Sequence, residues 1–138
     1  MYFRDVIGHN EIKKDLIRSV AEGFVPHARL FTGNEGVGAL PLAIAYARYL
    51  HCTNRGETDA CGACSSCHKI DKLSHPDLHF VYPIINKKKG KDAYCDDFIT
   101  EWRGFISDNP YANLSSWLEY IDAENAQGMI YEREAKAI

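Results

Sequence analysis

The stretch Leu30-Phe31-Thr32-Gly33-Asn34-Glu35-Gly36-Val37-Gly38-Ala39-Leu40 decides how the chain is read. It has the skeleton of a phosphate-binding loop: a short apolar run, Gly33, four residues, Gly38, then helix-forming sequence. In a working loop the next two residues are Lys and then Ser or Thr. The ammonium neutralises the β- and γ-phosphates, and the hydroxyl ligates Mg²⁺. Ala39 and Leu40 occupy those places and supply neither group. The glycines that let backbone wrap a phosphate are kept. Residues 33–40 are therefore expected to form a degenerate nucleotide-binding loop, inactive toward ATP, and no catalytic residue is assigned.

Working outward, the pattern predicts strand, loop, helix. Residues 29–32 are short and mostly apolar, as in a buried strand. Residues 40–51 predict a helix with Leu40, Ala43, Ile44, Ala47 and Leu50 on one face, and Pro41 in its first turn where a missing N–H costs little. Upstream, residues 10–22 predict a helix with Ile12, Leu16, Ile17 and Val20 on one face, Asn10 as N-cap and Gly23 as stop. Downstream, 68–73 predict a short helix, 74–77 a turn and 78–82 a second strand ended by Pro83. Residues 94–107 predict an amphipathic helix burying Phe98, Trp102, Phe105 and Ile106. Residues 113–121 predict another, burying Leu114, Trp117, Leu118 and Ile121, and a last helix is predicted from Met129. Two strands cannot complete an α/β sheet covered on both faces. The chain is accordingly expected to be the N-terminal piece of a longer polypeptide.

Composition narrows the class. The 138 residues are 46% hydrophobic and 25% charged, with a net charge of −3, a balance that supports a packed core and gives no global basic field for nucleic acid. No apolar stretch approaches the ~20 residues of a membrane span. The N-terminus lacks the basic head and apolar run of a signal peptide, so a cytoplasmic protein is expected.

In a reducing compartment, clustered cysteines point to a metal or to redox chemistry rather than to disulfides. Four of the five cysteines, Cys52, Cys61, Cys64 and Cys67, are spaced C-x8-C-x2-C-x2-C. Cys-x2-Cys lets one turn place two sulfurs on one ion, and four thiolates fill the tetrahedral shell of Zn²⁺ with no open position for water. The expected cofactor is a structural zinc, which would also fold the apolar-poor stretch 52–67. An iron–sulfur cluster uses the same ligand set, and His51 and His68 flank it as substitute ligands. Arg55, Lys69 and Lys72 are near enough in sequence to offset the −2 charge of a zinc tetrathiolate. Cys95 stands apart and is expected on the polar side, or near the start, of its helix as an unpaired thiol.

Together these pieces resemble the bacterial clamp-loader subunits of DNA polymerase III, a family that includes the gamma/tau ATPase and delta-prime. The resemblance rests on residues 3–8 with Val6-Ile7-Gly8, on Gly33 to Leu40, on the four cysteines and on Ser74-His75-Pro76-Asp77, and it covers roughly residues 1–85. It implies an α/β, three-layer AAA+ P-loop fold with an inserted zinc module at 52–67. Ala39 and Leu40 place the chain nearer the delta-prime type, which lacks the working lysine and threonine. The implied role is that of a non-hydrolysing subunit that helps load the sliding clamp on primed DNA. The implied partners are the gamma/tau and delta subunits, with clamp and primer-template DNA met through the complex and no membrane. The Walker B, sensor, arginine-finger and collar regions are expected past Ile138.

Residues 86–127 depart from that pattern and are expected to be a helical insertion, either a packing embellishment or a docking surface. The run Lys87-Lys88-Lys89 with Lys91 is a solvated loop or a phosphate contact. Two other functions stay open from sequence. One is a gamma/tau-type ATPase whose divergent loop is rescued by Lys13, Lys14 or Arg48. The other is a zinc-module binding protein outside replication.

Overall fold

A computed structural model describes residues 1–86 and 92–136; the lysine run and the end of the last expected helix lie outside the described residues. The chain divides into two compact units, Met1–Leu78 and His79–Ile138.

The first unit begins with a 3₁₀ turn, Phe3–Asp5, followed by α1 (Asn10–Ala21), α2 (Ala39–His51) and α3 (Ser65–Asp71). α1 starts one residue off expectation: His9, in the left-handed region, is the cap, and Asn10 is the first helical residue. Gly23 stops the helix, with a positive φ of 72°. The Gly23 amide donates to Val20 at 3.1 Å and the Phe24 amide to Ser19 at 2.8 Å, the paired bonds of a Schellman ending. α2 forms where the sequence places it, and Ile44 of the expected face is buried, but so are Pro41, Leu42, Ala45, Tyr46, Arg48 and Tyr49, which were not read as part of that face. Leu40, Ala43, Ala47 and Leu50 are only half-buried. The helix is apolar nearly all round, so periodicity could not choose its face. α3 begins three residues before the expected start, because the Cys64 sulfur caps it by accepting from the Cys67 amide.

Three links join these pieces. The Asp59 carboxylate accepts from the amides of Phe3 at 3.2 Å and Arg4 at 3.1 Å, tying the N-terminal turn to the cysteine loop. Arg48, fully buried on α2, pairs with Asp71 at the end of α3. The same guanidinium lies 4.0 Å over the Tyr2 ring. The core around them runs from Phe3, Val6 and Leu16 through α2 to Cys52, Ala60 and Cys67.

Neither expected strand forms. Residues 29–32 and 78–82 belong to no helix or strand, and the one β-type pairing among the described residues is an isolated antiparallel bridge between Ile84 and Met129. Extended backbone becomes a strand only when a neighbouring strand completes its hydrogen bonds, and Leu30, read as buried, is 86% exposed. The described residues are thus helical where an α/β fold was expected.

The second unit holds a 3₁₀ turn (Cys95–Phe98), α4 (Ile99–Asp108), α5 (Leu114–Tyr120) and α6 (Glu132–Ala135). Met129 belongs to the bridge rather than to a helix, and α6 is a single turn. Aromatic rings fill the core. Tyr82 stacks on Trp102 at 4.0 Å, and Trp117 meets Trp102 edge-on at 5.0 Å. The Trp117 indole N–H donates to the Pro83 carbonyl at 2.7 Å. Leu114, expected in this core, is half exposed. Cys95 is buried rather than on a polar face: its thiol donates to the Tyr82 carbonyl at 3.4 Å, and its amide to the buried Glu134 carboxylate at 2.9 Å. Burial pushes that thiol up to about 11. Arg133 donates to the Ala93 carbonyl at 2.8 Å and pairs with Asp92 at 3.3 Å, holding α6 in place. No helix among the described residues is long and apolar enough to cross a membrane.

Trp117 is 1% exposed and Leu114 46%. Trp117→Ala removes ring contacts and strands the Pro83 carbonyl, so it should destabilise the second unit by about 3–5 kcal/mol. Leu114→Ala should stay within about 0.5 kcal/mol. Urea unfolding followed by near-UV circular dichroism separates the two, and equal losses would contradict this core.

Candidate functional site

The glycine loop keeps its backbone shape. Gly36 and Gly38 have φ of 74° and 95°, values L side chains rarely adopt. A Cβ on Gly33 would lie 2.5 Å from the Val37 side chain. The Val37 amide closes a turn on the Asn34 carbonyl at 3.2 Å, and His9 Nε2 donates to the Val37 carbonyl at 2.6 Å. The loop thus hangs on the cap of α1 and delivers Gly38 as the cap of α2. The first turn of α2 carries no acidic residue.

The three cations considered as substitutes for the missing lysine are each engaged elsewhere. Lys13 donates to the Val6 carbonyl, Lys14 pairs with Glu11 at 2.8 Å, and Arg48 is taken by Asp71. The rescue that a gamma/tau-type reading needs from these three cations is therefore not in place. Sequence reasoning missed Arg29. It lines, with His9, Ile12, Phe31, Val37 and Ala39, a cavity of about 420 Å³ beside the loop. Its guanidinium lies 4.9 Å over Tyr46 and donates to the Ser19 hydroxyl at 3.4 Å.

The four cysteines expected to share a metal come together: their sulfurs all lie within 4.8 Å of one another, and Cys64 and Cys52 are 4.0 Å apart. Four sulfurs about 2.3 Å from one tetrahedral ion would sit about 3.8 Å apart, so the set fits such an ion with small adjustments. Backbone amides point at the sulfurs. Cys61 accepts from Ala63 and Cys64 at 3.4 Å each, and Cys52 accepts from Cys61 at 3.3 Å. Gly62 makes the Cys61 turn possible: its φ is 75°, and a Cβ there would meet the Tyr2 hydroxyl at 2.6 Å. The amides of Cys67 and Thr53 bring the Cys64 thiol down to about 5, and those of Ala63 and Cys64 lower Cys61. Burial dominates at Cys67 and pushes it up to about 12. These donors stabilise negative charge on sulfur, as a thiolate–metal centre requires.

The flanking groups sort differently from the sequence expectation. His68 is exposed and outside the sulfur cluster. Arg55 donates to the Tyr49 carbonyl at 2.7 Å and to Leu50, capping the end of α2 instead of facing the sulfurs. His51 turns to a second group with His75 and Asp77. Its imidazole is lowered by burial and then by the neighbouring His75 ring. A fold was needed to reveal this group, since its members are spread over residues 51–77.

Comparison with known proteins agrees with these features. The family model described as DNA polymerase III, delta subunit, matches residues 8–128. DNA polymerase III subunit delta' of Bacillus subtilis (strain 168) is 36% identical over 89 residues, 63% of this chain and 27% of that protein. Subunit delta' of Haemophilus influenzae (strain ATCC 51907 / DSM 11121 / KW20 / Rd) is 35% identical over 85 residues, 62% of this chain and 26% of that protein. Subunit gamma of Buchnera aphidicola subsp. Acyrthosiphon pisum (strain APS) is 35% identical over 71 residues, 51% and 20% respectively. The chain spans about a quarter of the length of the curated relatives it matches. No solved structure matches it significantly. With the match running over most of its length, this chain belongs to the DNA polymerase III, delta subunit family.

Proposed function

We propose that this chain carries the nucleotide-loop and zinc-bearing region of a non-hydrolysing, delta-prime-type subunit of the DNA polymerase III clamp loader. The observation that carries the reading is the pair Ala39 and Leu40, set in a loop whose glycine geometry is otherwise kept. A P-loop lysine supplies much of the charge compensation for phosphoryl transfer. Here residues 33–40 act as a scaffold between α1 and α2, and the subunit's part in loading the sliding clamp on primed DNA is mechanical. Its partners are the gamma/tau and delta subunits, with clamp and DNA engaged through the assembled complex in the cytoplasm. Relatives named delta' and gamma support this, as does the absence of a free cation among Lys13, Lys14 and Arg48.

The same reading assigns the first unit to an AAA+ α/β fold. Residues 29–32 would take their sheet partners from the rest of the subunit. Exposed Phe24, Val25 and Leu30 support this, because such apolar surface calls for cover. Cys52, Cys61, Cys64 and Cys67 hold a structural Zn²⁺. Four thiolates complete its shell, so the ion offers cross-linking and no open position for chemistry.

Two measurements on the full-length subunit test this. Calorimetry with Mg-ATP should show no tight binding and phosphate release should stay at background, whereas the double variant A39K/L40T should gain measurable affinity. Tight Mg-ATP binding by the unaltered protein would sink the scaffold reading. Metal analysis of reduced protein should find about one zinc per chain, lost in Cys64→Ser together with the protection of α3 against hydrogen exchange. Metal-free protein, or iron with visible charge-transfer absorption, would contradict the zinc assignment.

A further inference from the structure

We infer that His51, His75 and Asp77 form a second divalent-metal site, separate from the cysteine cluster, that takes a Zn²⁺-class ion through two imidazole nitrogens and one carboxylate. One ligand atom from each residue lies within 4.8 Å of the other two. The two rings face each other at 4.5 Å with a 35° tilt, and His75 Nδ1 is 3.9 Å from an Asp77 oxygen. Three ligands about 2.0–2.1 Å from one tetrahedral ion would be about 3.4 Å apart. Asp77, whose side chain is 75% exposed, needs only a small rotation to close that gap.

The hydrogen bonds around His75 fix its tautomer. The Asp77 amide can only donate, and it donates to Nδ1 at 3.2 Å. The ring proton therefore sits on Nε2, which donates to the Ser66 hydroxyl at 3.2 Å. Nδ1 carries the lone pair for a metal, and an ion there takes the place of the Asp77 amide, while the Ser66 bond on the other ring nitrogen is the kind of partner that orients metal-bound histidines. His75 is itself 8% exposed, so the ring is held by packing. His51 is the last residue of α2, where the helix dipole favours a cation. Two imidazoles with one carboxylate suit zinc and its transition-metal neighbours rather than Mg²⁺ or Ca²⁺. Arg55 already places a positive charge on the same helix end, so this site binds more weakly than four thiolates would. Only three protein ligands are present, so the ion keeps a coordination position for water, unlike a closed tetrathiolate.

The test is Co²⁺ titration of the full-length protein after zinc loading. Cobalt on the cysteines announces itself by thiolate-to-metal charge-transfer absorption, and cobalt on two histidines and a carboxylate does not. The expected result is one further Co²⁺ with d–d bands, no added charge-transfer band, and paramagnetic broadening of the His51 and His75 ring signals. Asp77→Asn, at an exposed side chain, and His51→Gln should each weaken that binding by at least about tenfold while leaving the zinc content unchanged. Uptake confined to the charge-transfer form, or equal affinity in both variants, overturns the site.

Discussion

Arg48 is the constraint on which the first unit depends. A guanidinium with no exposed surface has lost its water, and removing its partner would leave a buried charge uncompensated. Asp71 supplies the counter-charge from α3, and the Tyr2 ring supplies a π face from the N-terminal turn. One side chain therefore fixes three segments that are far apart in sequence. The consequence reaches the cysteines. Cys52 follows Arg48 by one turn, and its amide donates to the Arg48 carbonyl at 3.0 Å. Cys67 precedes Asp71 by one turn of α3. The ion pair and the two buried sulfurs are thus neighbouring rungs between α2 and α3, so aligning one aligns the other.

The glycine loop owes its shape to its backbone. Its shape is set by positive φ at Gly36 and Gly38, the turn from Val37 to Asn34, and the bond from His9 to Val37. None of these involves the side chains of residues 39 and 40, which are where the chemistry of phosphoryl transfer would reside. Ala39 and Leu40 in place of a lysine and a hydroxyl residue therefore leave the turn and the start of α2 undisturbed. The loop joins α1 to α2 whether or not a nucleotide is ever bound.

How much of this was legible in the sequence follows from how local each cause is. Gly23 as a stop and the aromatic faces of α4 and α5 depend on residues within a turn or two, and they stand as read. The sulfur cluster was legible because ligand spacing is itself a local signal. Residues 29–32 and 78–82 were misread because a strand is defined by a partner, which is not encoded in four apolar residues. The start of α3 was missed because its cap is a cysteine sulfur instead of the usual Ser, Thr, Asp or Asn. The face of α2 was read correctly only at Ile44, because a helix apolar on nearly every side has little periodic signal to read. Cys95 sits near the start of its helix, one of the two places read for it, but its burial was not legible because Tyr82 and Glu134 reach it from distant parts of the second unit.

The two units solve the same physical problem by different means. They span residues 1–78 and 79–138, sizes at which a single apolar core gives little margin. In the first unit the stretch between α2 and α3 has almost no apolar side chains, so ionic and sulfur-based links do the holding: Asp59 on the N-terminal amides, Arg48 with Asp71, and the four converging cysteines. The second unit carries both tryptophans of the chain, and there Trp102, Trp117 and Tyr82 pack ring on ring while Arg133 fastens the last turn. The difference predicts different sensitivities. Replacing the clustered Cys52, Cys61, Cys64 and Cys67 should loosen only the unit built on links, because the other unit is held by its own stacked rings.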